Sequence, residues 1–489
     1  MLKYTVKKYC SEGSRINQVV MASLMVLPVF SYGMAVGWLS PMGPRLINDP
    51  SLSATVSTDV LSWMASVVYL VGTPAVFLFG YIVDNCGRKR ALMLTSLSMA
   101  VCWGLKLYST STWALITARA IIGLGVSGSY VVTPLYIKEI SEDSIRGTLG
   151  SLVVLSQNLG NLVVYIMGEY LSYHAVLWIC LAVPLVHLLV FATMPETPSY
   201  LLKCGKVEEA REALGWLRCR QSSESVDNEL KMLLIELEQN KTNQFRYAIK
   251  TLASDRIAFR AFRIVLTITL ARELCGCLAV LHFASKIFSE ANHSGSWVLT
   301  ANQQTAVLGA VQLFGSVTAS TLVERTGRKP LLGLTCFVSG VSMCLLGSWF
   351  AIGGGGWLPV AALCLCIYCD AAGLQPVPFV VMTEMFSFQL RGTVTSLVIA
   401  FACALVSIEL RFFHPLSELA GLHTVFFLFA GVCIVSTVYI VICVPETKMK
   451  TIDEIYARIG GKNQDDGKIQ NGGKDGAKRN CEAPDVTRL

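Results

Sequence analysis

Charged side chains are scarce in this sequence of 489 residues, where they make up 15% of positions and hydrophobic residues make up 53%. A soluble protein of this size carries charge on roughly a quarter of its positions. Most of the protein surface must therefore face something other than water. The composition excludes an ordinary soluble protein and indicates an integral membrane protein.

Long apolar runs take the place of the missing charge. A helix needs about 20 mainly apolar residues to cross a hydrocarbon core of about 30 Å. Twelve candidate spans meet this condition: 17–38, 60–82, 91–108, 112–134, 149–170, 174–194, 262–283, 303–323, 330–350, 357–380, 394–413 and 423–444. The fold class is therefore an all-α polytopic membrane protein with twelve transmembrane helices in two groups of six.

The spans divide the chain into five predicted parts. These are an N-terminal segment 1–16, a six-helix bundle 17–202, a polar helical linker 203–250, a second bundle 251–445, and a tail 446–489. The linker alternates charged and apolar residues at helical spacing from Lys206. The tail after about Gly460 lacks periodicity and is predicted to be disordered.

The distribution of Lys and Arg predicts the orientation in the membrane. These residues gather in alternate loops, near Arg88, Arg146, Arg328 and Arg391, and the positive-inside rule places those loops, the linker and both termini in the cytoplasm. The net charge of +7 is explained in this way, and we expect no nucleic-acid partner. Asn292 begins an Asn-X-Ser glycosylation acceptor in a loop predicted to lie outside.

No motif for catalysis or for a cofactor stands out. Of the seventeen cysteines, Cys366 and Cys369 form a C-x-x-C, but no second ligand pair lies at zinc spacing. Most other cysteines fall in spans, where a thiol behaves as a small apolar side chain. We therefore expect no enzyme activity, no cofactor and no metal site.

An internal repeat relates the two groups of six spans. Residues 84–90 read DNCGRKR and residues 324–330 read ERTGRKP, and each motif is followed in the same order by a Glu, an Arg and a Pro-Glu-Thr. The repeated ionisable residues are predicted to form a cytoplasmic gate. They are Asp84, Arg88, Glu139, Arg146 and Glu196 in the first half, and Glu324, Arg328, Glu384, Arg391 and Glu446 in the second. Simple juxtamembrane anchoring of the same side chains is the alternative.

With its GYIVDNCGRK, PLYIKEI, RGTLGS, PETPSYLL and ERTGRK motifs, the sequence resembles the sugar porter family of the major facilitator superfamily. It is most similar to the facilitated trehalose transporters of insects and to hexose facilitators. The resemblance covers almost the whole chain. It implies two six-helix halves around a central cavity, which open alternately to the two sides of the membrane.

The residues that would line such a cavity depart from the family pattern. Span 7 has Arg272 and Glu273 where sugar porters have amides, and span 10 keeps two prolines but has Phe379 in place of Trp. Our candidates for the substrate cavity are Gln157, Arg272, Glu273, Gln312, Asp370 and Phe379. The pattern thus predicts a cavity with few amides and few aromatic faces.

Two roles remain open for Arg272. It pairs with Asp370 or Glu273 and holds spans 7 and 10 together, or Arg272 or Asp370 contacts the solute. Span 1 has no Asp or Glu from Asn17 to Pro44, where proton-coupled sugar porters carry a carboxylate. This absence favours facilitated diffusion, unless Asp370 or Glu273 carries a proton instead.

The sequence therefore predicts a plasma-membrane facilitative transporter of a sugar such as trehalose or a hexose. Its partners would be the solute and the lipid bilayer. Two alternatives are a carrier of a non-sugar or charged organic solute, and a nutrient sensor that signals without transport. Neither the solute nor the oligomeric state follows from the sequence.

Overall fold

A computed structural model describes residues 15–48, 56–219, 223–239, 244–292, 299–353 and 357–460. Every regular element among these residues is a helix. The predicted disordered tail lies outside the described residues, as does most of the predicted N-terminal segment.

Helices occupy all six predicted positions of the first half. Span 1 runs from Ile16 to Ile47 with slight irregularities at Val26 and Trp38. The next five spans are Thr58–Cys86, Arg88–Tyr108, Thr112–Ile140, Asp143–Tyr170 and Tyr173–Phe191.

Helices also occupy the six predicted positions of the second half. Spans 7 and 10 are each built from two helices, which are Arg256–Glu273 with Cys277–Asn292, and Leu358–Cys369 with Pro376–Met385. The continuous spans 8, 9, 11 and 12 are Ala301–Thr326, Arg328–Ile352, Phe388–Ala420 and Leu422–Cys443. Eleven segments of the described chain are long and apolar enough to cross a membrane. Span 8 is the predicted span that is not among these eleven, because it is less apolar than the others. Its polar residues include Gln312.

Span 7 is interrupted directly after the two charged residues. Its first helix ends at Glu273, and its second begins at Cys277. Gly276 between them has φ +84°, a conformation that L side chains rarely adopt, and its Cα lies against the Phe429 ring. The predicted span is in the right place, but Arg272 and Glu273 lie at a helix end rather than within a continuous helix.

Span 10 is also interrupted. A π-helical turn, Asp370–Leu374, separates its two helices, and Pro376 begins the second one. Such turns inside α-helices occur frequently at functional sites. The freed backbone groups are tolerated here because the turn is fully buried in protein.

The antiparallel order of the spans gives the bundle two ends. We call the end that carries Arg88 and Arg328 the motif face, and the end that carries Thr58 and Thr300 the opposite face. On the opposite face Thr58 donates to Glu418 and Thr300 donates to Glu169, at 3.1 Å and 2.9 Å. Both hydrogen bonds join the two halves.

Short polar helices cover the motif face. They are Pro198–Lys203, Val207–Leu217, Ser223–Gln239 and Gln244–Ser254 between the halves, and Ile452–Ile459 after span 12. Arg218 ties this layer to the first half, because its guanidinium donates to the Ile140 carbonyl over 3.0 Å and pairs with Glu229 over 2.5 Å.

Candidate functional site

The two helix interruptions bring three charged side chains together. Arg272 Nη1 lies 2.7 Å from Glu273 Oε1, and Arg272 Nε lies 3.3 Å from Asp370 Oδ1. The side chains of Arg272, Glu273 and Asp370 are 11%, 8% and 0% exposed. The Arg272 side chain thus joins span 7 to span 10.

The charge balance of this triad limits what it can bind. One guanidinium faces two carboxylates, and the second oxygen of each, Glu273 Oε2 and Asp370 Oδ2, is buried without a hydrogen-bond partner in the described part of the chain. A buried charge is costly unless it is paired. The positive charge of Arg272 is therefore already satisfied, and the unused hydrogen-bonding capacity belongs to the acceptors.

A polar layer lies between the two halves, formed by side chains of spans 5, 8 and 10. Asn158 Nδ2 donates to Ser316 Oγ over 2.5 Å and to Gln375 Oε1 over 3.4 Å. Asn161 Nδ2 donates to Gln312 Oε1 over 3.3 Å. These contacts place Gln312, a predicted cavity residue, opposite an amide of the first half.

Three tyrosines and an amide extend this layer into the first half. The Tyr130 hydroxyl donates to Gln157 Oε1 over 2.9 Å, and the hydroxyls of Tyr32 and Tyr69 lie 3.4 Å apart. The Tyr32 and Tyr130 rings form an edge-to-face pair with centroids 5.8 Å apart. Across the interface, the Tyr69 ring packs edge-on against His282 of span 7.

The predicted list of cavity residues does not include five residues of this layer. That list was drawn from single positions that depart from the family pattern. The five other residues are Tyr32, Tyr69, Tyr130, Asn158 and Asn161. These residues come from spans 1, 2, 4 and 5. Only their polar or aromatic character at mid-span depth could have indicated them, and many packing residues share that character.

Three other aromatic or ionisable residues of spans 10 and 11 have different surroundings. Phe379 is half-buried and packs against the main hydrophobic core. Arg411 pairs with Asp59 over 2.8 Å and lies over the Trp63 ring. Glu409, also in span 11, has both carboxylate oxygens buried without a hydrogen-bond partner in the described part of the chain.

The repeated motifs form two matching ion pairs on the motif face. Arg88 Nη2 lies 2.9 Å from Glu139 Oε1, and Arg328 Nη2 lies 2.7 Å from Glu384 Oε1. In both pairs the Nε also donates to the same oxygen, over 3.0 Å. Each of these pairs braces helices within one half, in contrast to the hydrogen bonds between halves on the opposite face.

The glutamates of the two Pro-Glu-Thr motifs accept hydrogen bonds from the first residues of spans 3 and 9, the spans that begin at Arg88 and Arg328. Glu196 accepts from the backbone N–H of Lys89, and Glu446 accepts from those of Arg328 and Lys329. A carboxylate is favoured at a helix N-terminus. Burial raises the pKa of Glu196 despite its hydrogen bonds. Burial acts in the same direction on Glu446, but four backbone N–H donors outweigh it and lower its pKa.

The remaining predicted residues have simpler surroundings. Arg146 donates to the Ser141 carbonyl and Arg391 to the Phe386 carbonyl, so each closes a turn before a span. Asp84 is exposed beside Lys203, and Glu324 is exposed. Asn292 ends a helix on the opposite face and accepts from Gln304, while the other residues of its glycosylation motif lie outside the described residues.

Comparison with known proteins places this architecture in a family. The profile described as sugar (and other) transporter matches residues 11–458. A facilitated trehalose transporter Tret1-2 homolog from Drosophila simulans is 27% identical over 463 residues, which are 92% of this chain and 93% of that protein. The facilitated trehalose transporter Tret1 of Aedes aegypti is also 27% identical over 90% of this chain, which spans only 55% of that protein.

A solved structure shares the fold. The inward-open conformation of the xylose transporter XylE from E. coli superposes with a TM-score of 0.73 at 19% identity, covering 90% of this chain and 99% of that one. The profile match extends over both six-helix halves and the polar helices between them. The chain therefore belongs to the sugar (and other) transporter family.

Proposed function

We propose that this protein moves a sugar such as trehalose or a hexose across its membrane by facilitated diffusion. The observation that carries the proposal is the polar layer between the halves, where amides from spans 5, 8 and 10 meet. Amides and hydroxyls can exchange their mutual hydrogen bonds for those of a polyol when the halves separate. The tyrosines supply the flat apolar faces that sugar rings require.

The triad supports an uncharged solute rather than an organic anion. Arg272 is already engaged by Glu273 and Asp370, at 2.7 Å and 3.3 Å. An anion would have to displace one of these carboxylates and leave it buried and unpaired, which is costly. The absence of a carboxylate in span 1 supports uniport over proton coupling.

The two faces of the bundle differ in how they connect the halves, and this difference supports alternating access. The halves are bridged on the opposite face, whereas the two motif ion pairs each lie within one half. This arrangement resembles a state open toward the motif face. We further propose that the motif residues form a cytoplasmic gate, that both termini lie in the cytoplasm, and that the chain resides in the plasma membrane with the five-part domain division predicted above.

Uptake of radiolabelled trehalose and glucose in oocytes with confirmed surface expression tests the proposal. Wild type is expected to exceed water-injected controls for at least one sugar. Asn161→Ala removes a donor from the polar layer and should lower that uptake by about 10-fold, since one lost hydrogen bond is worth about 1 to 2 kcal/mol. Asn85→Ala on the exposed motif face is the matched control. No uptake of any sugar by wild type would refute the proposal.

A further inference from the structure

Three thiols and one carboxylate converge where spans 7 and 10 are interrupted. Cys275 Sγ lies 3.2 Å from Cys277 Sγ, and Cys277 Sγ lies 3.6 Å from Cys366 Sγ. The ligand atoms of Cys275, Cys277 and Asp370 all lie within 4.8 Å of one another. All four side chains are at most 1% exposed.

We propose that Cys275, Cys277 and Asp370 bind one thiophilic divalent cation of the Zn²⁺ class, next to Cys366. Tetrahedral Zn²⁺ with metal–sulfur bonds of about 2.3 Å holds its sulfur ligands about 3.8 Å apart. The Cys275–Cys277 separation of 3.2 Å would have to lengthen by about 0.6 Å to reach this spacing.

The charge balance favours such an ion. Asp370 Oδ2 is buried and has no hydrogen-bond partner in the described part of the chain, so it can bind a cation while Oδ1 keeps its contact with Arg272. Binding replaces the thiol protons of Cys275 and Cys277, and both protons leave to solvent. Two positive charges enter and two are lost, so the net charge of this buried region is unchanged.

The site was not visible in the sequence because its residues on span 7 lie 89 to 95 positions from those on span 10. Cys366-x-x-Cys369 lacked a second pair at zinc spacing, and Cys275-x-Cys277 straddles the glycine that breaks span 7. Only the packing of one interruption against the other brings them together. A bound ion would tie spans 7 and 10 at the two points where they can bend, so we expect it to inhibit transport.

Titration of the purified full-length protein with Cd²⁺, in a non-thiol phosphine reductant, tests the site. Cd²⁺ bound to thiolates gives a charge-transfer band in the ultraviolet. We expect saturation at one Cd²⁺ per chain and release of two protons, followed in a weakly buffered solution. Cys277→Ser should abolish the band, and Asp370→Asn should weaken binding by about 10-fold or more.

Cys336→Ser is the matched control, because Cys336 is also a buried thiol of the second half but is not one of the proposed ligands and donates to the Cys433 carbonyl over 3.2 Å. It should keep the full band. Size-exclusion profiles establish that each variant is folded, and Cys275→Ser replaces Cys277→Ser if the latter aggregates. Absence of stoichiometric Cd²⁺ binding, or a band that survives loss of Cys275 and Cys277, would overturn the proposal. The experiment measures metal binding, so a negative result here can be distinguished from a failure of sugar uptake.

Discussion

Arg272 Nε donates to Asp370 Oδ1 over 3.3 Å, and this contact joins two helices that are both interrupted within the bundle. Arg272 ends the first helix of span 7 with Glu273, while Asp370 begins the π-helical turn of span 10. The ion pair therefore connects the two places where the second half departs from regular helix. Its energetics and its relation to the glycine at the break can be tested directly.

Removing Arg272 alone should be strongly destabilising. Arg272→Gln leaves the carboxylates of Glu273 and Asp370 buried without a positive partner, which costs about 3 to 5 kcal/mol. The double variant Arg272→Gln with Asp370→Asn removes one of those charges and should recover part of the loss. Thermal unfolding of Arg272→Gln, Asp370→Asn and the double variant in detergent measures the coupling. Strictly additive effects would show that the pair does not interact energetically.

Gly276→Ala should disrupt the break in span 7. Gly276 has φ +84°, and an added Cβ would meet the Phe429 ring. The backbone strain alone costs about 1 to 2 kcal/mol, and the clash adds to it. Gly431→Ala in span 12 is the control, because nothing lies within 4 Å of the added Cβ and alanine favours helix. Equal unfolding temperatures for the two variants would contradict this account.

The repeated ion pairs should contribute equally in the two halves. Glu139→Gln and Glu384→Gln each weaken a half-buried contact with an arginine, and we expect a loss of about 1.5 to 3 kcal/mol from each. Lys203→Ala removes an exposed pair with Asp84 at 3.7 Å and should change stability by less than about 0.5 kcal/mol. Chemical unfolding of the three variants provides the comparison. A Lys203 effect as large as the other two would argue against a special role for the repeats.

Glu409 should be dispensable for folding. Its two carboxylate oxygens are buried and have no hydrogen-bond partner in the described part of span 11 and its neighbours. Glu409→Gln removes a carboxylate that must be desolvated or protonated, so we expect an unfolding temperature equal to or above that of wild type. Under facilitated diffusion, sugar uptake by wild type and by this variant should also have the same pH dependence. A pH dependence abolished by Glu409→Gln would instead indicate proton coupling.

The positions of the spans were predictable because they depend on local composition. About 20 apolar residues in succession cross a bilayer wherever they occur in a chain, and the repeated Arg and Glu motifs carry their spacing with them. The pairing of Arg88 with Glu139 and of Arg328 with Glu384 joins span ends that are 51 and 56 residues apart in the chain, so it depends on how the helices pack. The break in span 7 was not predicted, although Gly276 lies in a Cys-Gly-Cys stretch.

What the sequence alone determined is the apolar length of each helix, the repeat and the polar helices between the halves. What only the tertiary structure decided is which side chains from distant spans meet. Tyr130 with Gln157, Asn161 with Gln312, and Arg272 with Asp370 are each brought together by helix packing. The physical reason is that hydropathy acts along the chain, whereas hydrogen bonds and ion pairs depend on distances between helices that the local sequence does not specify.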